Sequence, residues 1–483
     1  MVASLRAWTT HNVYESVLAH ALKLRGAEVA LLTCGGGQPL CELGRARTAW
    51  PAPCDRCGWY TARVADAARL PSFRLADGLP WGRDARRAPD QPPTTRTGLD
   101  PRQTAEISLA WMLKSTNAES DPEGAEMGRD FAVAAAGVSA SAERVLDEFR
   151  PDTLVLLNGL FASESAIREV ALARDLRVIT YEMAPREGAL VFSADTPAPL
   201  YDTDRAWEQA RDRPLSPDEQ EEIETMLSAR SEGRAAHERY FDDPLADPER
   251  VRGELEIPAG ARVISLFTNL AWDSAVVGRD LAYGSMFEWI DDAVRAADEL
   301  ENTVLVVRVH PAETRWGTMQ PVAAGLPDLP ASVRVVGPEQ ALSSYALMEI
   351  SDLVLTYTTT VGLEAAVRGV PVAVAARTHY RERGFTHDLG SPADLANLLR
   401  SGAWAMSDEQ VDLALRYAFM FFFRCMIPFP LVEPGHGRPA SAPDDAAALA
   451  PGADPYLDFV CDRILNSGDF TLPDELAVPG AAR

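Results

Sequence analysis

The stretch Val304-Leu-Val-Val-Arg308-Val-His310-Pro311-Ala-Glu313 decides the fold. A mostly β-branched run stops at a histidine and a proline, and proline cannot continue a strand ladder, so a strand ends here and a turn opens. The same rhythm surrounds it. Val263–Phe267, Val333–Val336, Leu353–Thr356 and Val370–Ala375 are each a short apolar run followed by a polar turn and a helical pattern. Runs that are apolar on both faces and alternate with helices imply a parallel sheet covered on both sides. Nearer the N-terminus, Thr153–Leu157 ends at Asn158-Gly159, a helix spans Ser163–Arg174, and Arg177–Tyr181 ends at Glu182. Residues 13–26 read as a helix before the strand Glu28–Thr33; only Val2–Trp8 is left for a first strand, which makes the start of the chain a candidate for truncation. The expected fold class is α/β, with two Rossmann-like, doubly wound domains in tandem.

With 483 residues, 47% hydrophobic and 24% charged, the chain has material for more than one core. Residues 1–195 form the expected first domain, with a Cys-rich insertion at 34–57 and an irregular surface excursion at 71–100. Helical patterns fill 101–118 and 129–149. An acidic helical connection covers 196–255, including an amphipathic stretch Ser216–Tyr240. The second domain spans 256–400, and 401–483 reads as C-terminal helices with a loose tail at 436–455 and a last helix at 455–466. The formal charge of −25, from 71 acidic and 46 basic residues, excludes nucleic acid as the main partner, since phosphate backbones need a basic footprint. No signal peptide is readable, and the nearest candidate for a membrane span, Tyr417–Val432, is interrupted by Arg424, Pro428 and Pro430. A cytoplasmic protein is expected. The aromatic run Phe419–Phe423 reads as packing rather than as a membrane device.

Two motifs carry chemistry in the second domain. His310 is delivered to the carboxyl end of its strand, where open α/β sheets bind ligands, and an imidazole there can donate to a phosphate or, as imidazolium, add charge. Arg308 precedes it. The second motif is Thr356-Tyr-Thr358-Thr359-Thr360-Val-Gly362-Leu-Glu364-Ala-Ala, followed by Gly369-Val-Pro371-Val. Hydroxyls and backbone N–H groups converge where a helix begins, Gly362 allows close backbone approach, and Glu364 can accept from ribose hydroxyls. The competing interpretation is an ordinary N-cap with a capping-box glutamate. His310 and Thr358–Thr360 on adjacent strand ends reinforce each other as a donor site.

His-Pro at a strand end with T-x-x-G-x-E-A-x-x-x-G-x-P-V resembles the donor half of GT-B glycosyltransferases, and most closely the capsule polysaccharide biosynthesis proteins, including Kdo transferases. Asn269-Leu-Ala-Trp272-Asp273-Ser274, His379-Tyr380 with Gly384, Asn158-Gly159 and Glu182 fit the same group. The resemblance implies two domains facing across a cleft, a nucleotide-sugar donor and a surface-polysaccharide or related glycan acceptor, lipid-linked acceptors and the inner membrane face included. It implies that His310 and Thr358–Thr360 contact the donor phosphates, with Glu364 on the ribose or base and Asn269 nearby. A CMP-Kdo-like donor is preferred, and UDP- and GDP-sugars stay open. Retaining enzymes of the E-x7-E type carry a glutamate where this chain has Thr356, so that subgroup does not fit. For a catalytic base the candidates are Glu182 first, then Asp273, and His11 in the first loop. Alternatives are a UDP-sugar 2-epimerase-like isomerase and a non-catalytic nucleotide-binding scaffold.

Cys34, Cys41, Cys54 and Cys57 form a third constellation, C-x6-C-x12-C-x2-C. Four clustered thiols in a reducing compartment suggest structural Zn2+, with an iron–sulfur cluster, redox disulfides or unligated thiols as alternatives. Cys425 and Cys461 read as buried single residues. Cys34-Gly-Gly-Gly37 lacks G-x-G-x-x-G, and no dinucleotide is expected.

Overall fold

The computed structural model describes residues 1–47, 53–232, 240–326, 329–433 and 440–477. The chain forms two compact units, one from Met1–Met112, Asn117–Asp202 and Arg424–Arg483, the other from Leu113–Thr116 and Thr203–Phe423. Both are α/β.

In the first unit the strands are β1 (Val2–Ala3), β2 (Leu31–Thr33), β3 (Leu40–Cys41), β4 (Gly44–Arg45), β5 (Ser72–Arg74), β6 (Thr153–Leu157), β7 (Arg177–Met183) and β8 (Ala189–Ala194). β3 and β4 pair as a small antiparallel hairpin. The others run in the order β8-β7-β6-β1-β2-β5, parallel except where β8 turns back on β7. The helix after β1 covers Thr9–Leu24, so His11 sits in its first turn rather than in a loop. Residues 71–100 are a surface excursion only in part: 89–100 are irregular with no buried residue, whereas 71–88 join the fold. β5 completes the sheet, and Trp81 packs with Leu79 and Ala88 against Val133 while its indole N–H donates to Gly37 O at 2.7 Å. The helix Pro122–Phe149 makes room for that indole at Gly137, where a Cβ would stand 2.3 Å from Trp81.

The second unit holds β9 (Arg262–Phe267), β10 (Thr303–Arg308), β11 (Val333–Val336), β12 (Leu353–Thr356), β13 (Val372–Val374) and β14 (His387–Asp388). All are parallel, in the order β11-β10-β9-β12-β13-β14. That is the 3-2-1-4-5-6 arrangement of a dinucleotide-type doubly wound sheet. The helix Met286–Asp298 shows how the pattern works: Ser285 caps it, and Met286, Trp289, Ile290, Ala293, Val294 and Ala297 line its buried stripe.

Residues 196–255 do not form a separate connection. They divide at Asp202, with Thr203 onward in the second unit. The helix Pro217–Ser231, started by a capping box of Ser216 and Glu219, covers the front of the predicted Ser216–Tyr240 stretch, and residues 233–239 lie outside the described residues. The C-terminal stretch divides as well. The helix Asp408–Phe419 runs into a π-turn at Met420–Arg424 with Phe419 and Phe421–Phe423 buried, and the chain then enters the first unit. There β15 (Met426–Pro428) pairs antiparallel with β8. Within the tail expected to be loose, 434–439 lie outside the described residues, while Leu449 is buried and the helix Pro455–Asn466 joins the core through Leu457, Val460 and Ile464. Among the described residues no helix is long and apolar enough to cross a membrane.

Candidate functional site

In the second sheet β9 and β12 are neighbours at the point where the strand order reverses, the edge at which open α/β sheets form a ligand crevice. The sequence puts His310 and the threonines on adjacent strand ends. The structure places β9 between them, and the two residues that follow β9 tie both sides together. Thr268 Oγ1 accepts the His310 N–H at 3.0 Å, and Asn269 Oδ1 accepts the Thr358 N–H at 3.2 Å. Asn269 thus braces the turn that carries the threonines. Thr268 is missed by the sequence reading, although a hydroxyl directly after a strand was signal enough to find it.

His310 is held in one protonation state. Its Nδ1 accepts the Ala312 N–H at 3.1 Å, so the proton of the neutral ring is on Nε2. Desolvation, with the Arg308 charge as a lesser cause, lowers its pKa to about 4. Of the two forms the sequence allows, the neutral single donor is the one this environment favours at neutral pH. Arg308 is also not a free cation at the edge. It is buried and donates to Gly337 O at 2.8 Å and Leu342 O at 3.3 Å, bracing the loop after β11. Burial lowers its pKa to about 10, which leaves it charged.

Thr360 occupies the N-cap of the short helix Val361–Val367, but its side chain makes no capping bond, and the capping-box interpretation fails. Thr359 Oγ1 accepts the Val361 N–H at 3.4 Å. The Thr358 hydroxyl is buried without a hydrogen-bond partner among the described residues, an arrangement that costs about 1–3 kcal/mol until something fills it. Gly362 permits a close approach, but the group that approaches is Tyr380. A Cβ on Gly362 would stand 2.3 Å from the Tyr380 hydroxyl, which itself donates to Thr359 O at 2.7 Å. Glu364 is 2% exposed, in a 2.9 Å ion pair with Arg230, and also accepts the Tyr345 hydroxyl. It organises the helix from beneath, and neither partner was singled out from the sequence.

The candidate bases fall in both units. Asp273 follows β9, and its carboxylate accepts the Ala275 N–H at 2.8 Å; burial raises its pKa, while the Lys114 charge opposes the rise. Lys114 lies 4.0 Å from the Trp272 ring centroid, and burial lowers its pKa to about 8. In the first unit Glu182 is on β7, with one oxygen accepting Asn158 Nδ2 at 2.8 Å and the other the Met183 N–H at 2.9 Å. His11 packs 6.0 Å from Trp8 and 6.1 Å from Tyr181, centroid to centroid. Below them Glu15 is buried, accepting Tyr181 OH at 2.9 Å and Asn12 Nδ2 at 3.2 Å; burial pushes its pKa up to about 8.

The four clustered cysteines all border one cavity of the first unit, together with Arg6 and Gln38. None is in a disulfide. Cys425 and Cys461 are buried single residues, as their spacing suggested.

The switch point of this parallel Rossmann-type sheet thus carries a threonine, an asparagine and a neutral histidine, at the edge where open α/β sheets hold ligands. Residues 253–407 match the family model described as "Capsule polysaccharide biosynthesis protein". No curated protein matches the chain. Among solved structures, a KpsC beta Kdo 2,4 transferase from Thermosulfurimonas dismutans is 15% identical, with a TM-score of 0.37, covering 55% of this chain and 79% of that one. The beta Kdo 2,7 transferase of the same organism gives 14% and 0.36, with 58% and 81% covered. The spinosyn rhamnosyltransferase SpnG gives 15% and 0.28, with 86% and 94% covered. Likenesses this distant decide nothing further about this chain.

Proposed function

We propose that the chain is a glycosyltransferase that takes a sugar from a nucleotide donor to a capsule-type surface polysaccharide or related glycan, with the donor held at the β9–β10–β12 edge. The observation that carries this reading is the Thr358 hydroxyl, buried without a partner at the switch point, between the bracing Asn269 and the helix start at Thr359–Val361. His310 adds a neutral Nε2–H. Preorganised donors of this kind stabilise the charge that grows on a phosphate leaving group as the glycosidic bond to the donor breaks. Glu182, Asp273 and His11 are the groups available to take the acceptor hydroxyl's proton, Glu182 first because both its oxygens are fixed by N–H donors. A CMP-Kdo-like donor is the preferred class within this reading.

Thermal denaturation against CMP, UDP, GDP and their sugar conjugates tests it. A ligand at 100 times its Kd should stabilise the fold by about 2.7 kcal/mol. If none of these nucleotides raises the melting temperature, the reading is lost. Glu182→Gln should abolish sugar transfer while leaving nucleotide affinity within about twofold; retained transfer would remove Glu182 from the list of bases.

A further inference from the structure

We propose that Cys34, Cys41, Cys54 and Cys57 form a tetrathiolate site for one structural Zn2+ in the first unit. Three separate segments bring the sulfurs to one cavity: the turn after β2 supplies Cys34, β3 supplies Cys41, and the first turns of the helix Pro53–Ala68 supply Cys54 and Cys57. Residues three apart on a helix share a face, so Cys54 and Cys57 present their sulfurs side by side as a chelating pair. At a helix start the macrodipole also favours the thiolate that a metal requires.

The second observation is what surrounds the sulfurs. Two of the four accept an N–H: Gln38 Nε2 donates to Cys34 at 3.3 Å and the Ala7 N–H to Cys57 at 3.3 Å. A neutral thiol is a weak acceptor, and N–H groups on sulfur are the usual outer shell of metal–thiolate centres. The turn that makes this approach is Gly35-Gly36-Gly37, all at positive φ of 73°, 93° and 88°. Only glycine adopts three such conformations in succession without strain. It brings the backbone so near the helix that a Cβ on Gly36 would lie 3.4 Å from Cys54 Cβ and 3.9 Å from its Sγ.

Among the described residues no group of three or more His, Cys, Asp or Glu stands close enough to hold a metal ion as the chain is arranged, so loading must draw the sulfurs inward to Zn–S distances of about 2.3 Å. Four thiols then release four protons to solvent and leave a site of net charge −2. The Arg6 guanidinium interacts with Cys41 and Cys57, and it is itself paired with Glu42 and Glu164. The ion would tie the β2 turn, the β3–β4 hairpin and the helix into one piece, adding to the burial of Leu40 on β3.

The test uses the full chain, reduced and reconstituted with Zn2+ or Co2+, followed by desalting and elemental analysis. About one metal per chain is expected, and the Co2+ form should show the intense visible bands of a tetrahedral ion and thiolate-to-cobalt charge transfer. Cys54→Ser with Cys57→Ser should lower bound zinc at least tenfold, whereas Cys425→Ser should leave it unchanged. Because the double variant can fail on folding alone, the cobalt spectrum of the unmodified chain stands as the independent measurement. Less than about 0.1 equivalent of metal in the reduced chain, a cobalt spectrum without thiolate charge transfer, or protein isolated with iron and labile sulfide would each overturn the proposal.

Discussion

The two sheets share the 3-2-1-4-5 strand order, yet their carboxyl edges carry opposite chemistry. The second unit's edge is rich in donors: the His310 Nε2–H, the Thr358 hydroxyl and the N–H groups at the start of Val361–Val367. The first unit's edge is rich in carboxyls, with Glu15, Glu164 and Glu182 fixed by Asn, Tyr, Arg and backbone donors. One topology thus carries hydrogen-bond donors at the edge of one copy and carboxyls at the edge of the other. The topology supplies the place, and a few residues after each strand supply the function.

The largest expected effect concerns what lies under the donor edge. Glu364→Ala removes the carboxylate that Arg230 and the Tyr345 hydroxyl share in a buried position and should cost about 3–5 kcal/mol, read by urea denaturation. A loss under 1 kcal/mol would mean that the pair does not hold the helix. The next belongs to the carboxyl-rich edge. Glu15 has its folded-state pKa raised from 4.5 to about 8, so between those values the folded chain keeps a proton that the unfolded chain has lost. Stability from this group is complete below pH 4.5 and falls as pH rises toward 8, by up to about 1.4 kcal/mol per pH unit. Glu15→Gln should remove that slope; an unchanged pH profile of stability would refute the buried acid.

The donor-rich edge gives the smaller, sharper tests. Thr358→Val keeps the shape and removes a hydroxyl without an internal partner, so stability should hold or rise slightly while nucleotide affinity falls about tenfold, or 1.4 kcal/mol, by calorimetry. Loss of stability with unchanged affinity would reverse the assignment. Smallest of all, nucleotide affinity should change by less than about twofold between pH 5.5 and 8 on account of His310, because an imidazole with a pKa near 4 does not titrate there. A steep gain on acidification would show an imidazolium instead.

Much of this was legible in the sequence for a physical reason. Strands buried on both faces must be apolar and β-branched throughout, so β9, β10, β11 and β12 stood out, and the polar residues ending them marked the edge. What lay hidden depends on distance along the chain or on burial. Nothing local in sequence says that β9 inserts between β10 and β12, or that Arg230 finds Glu364 134 residues later. The ionisation of His310 depends on desolvation by groups around it, and a histidine's letter carries none of that. The anchoring of 71–88 stayed hidden because Pro and Arg dominate the stretch, while the residue that holds it, Trp81, gives no periodic signal. The division at Phe423 was hidden because helix periodicity continues smoothly through the π-turn.

The contact between Gly362 and Tyr380 bears on how such a chain can drift. Adding a methyl at position 362 meets the phenol oxygen at 2.3 Å and the ring carbon behind it at 2.9 Å. Tyr380→Phe clears the first overlap and leaves the second, so a methyl at 362 displaces the turn that carries Thr359 whether position 380 is tyrosine or phenylalanine. The two sites are coupled in one direction: related sequences with alanine at the first site should carry a residue smaller than phenylalanine at the second.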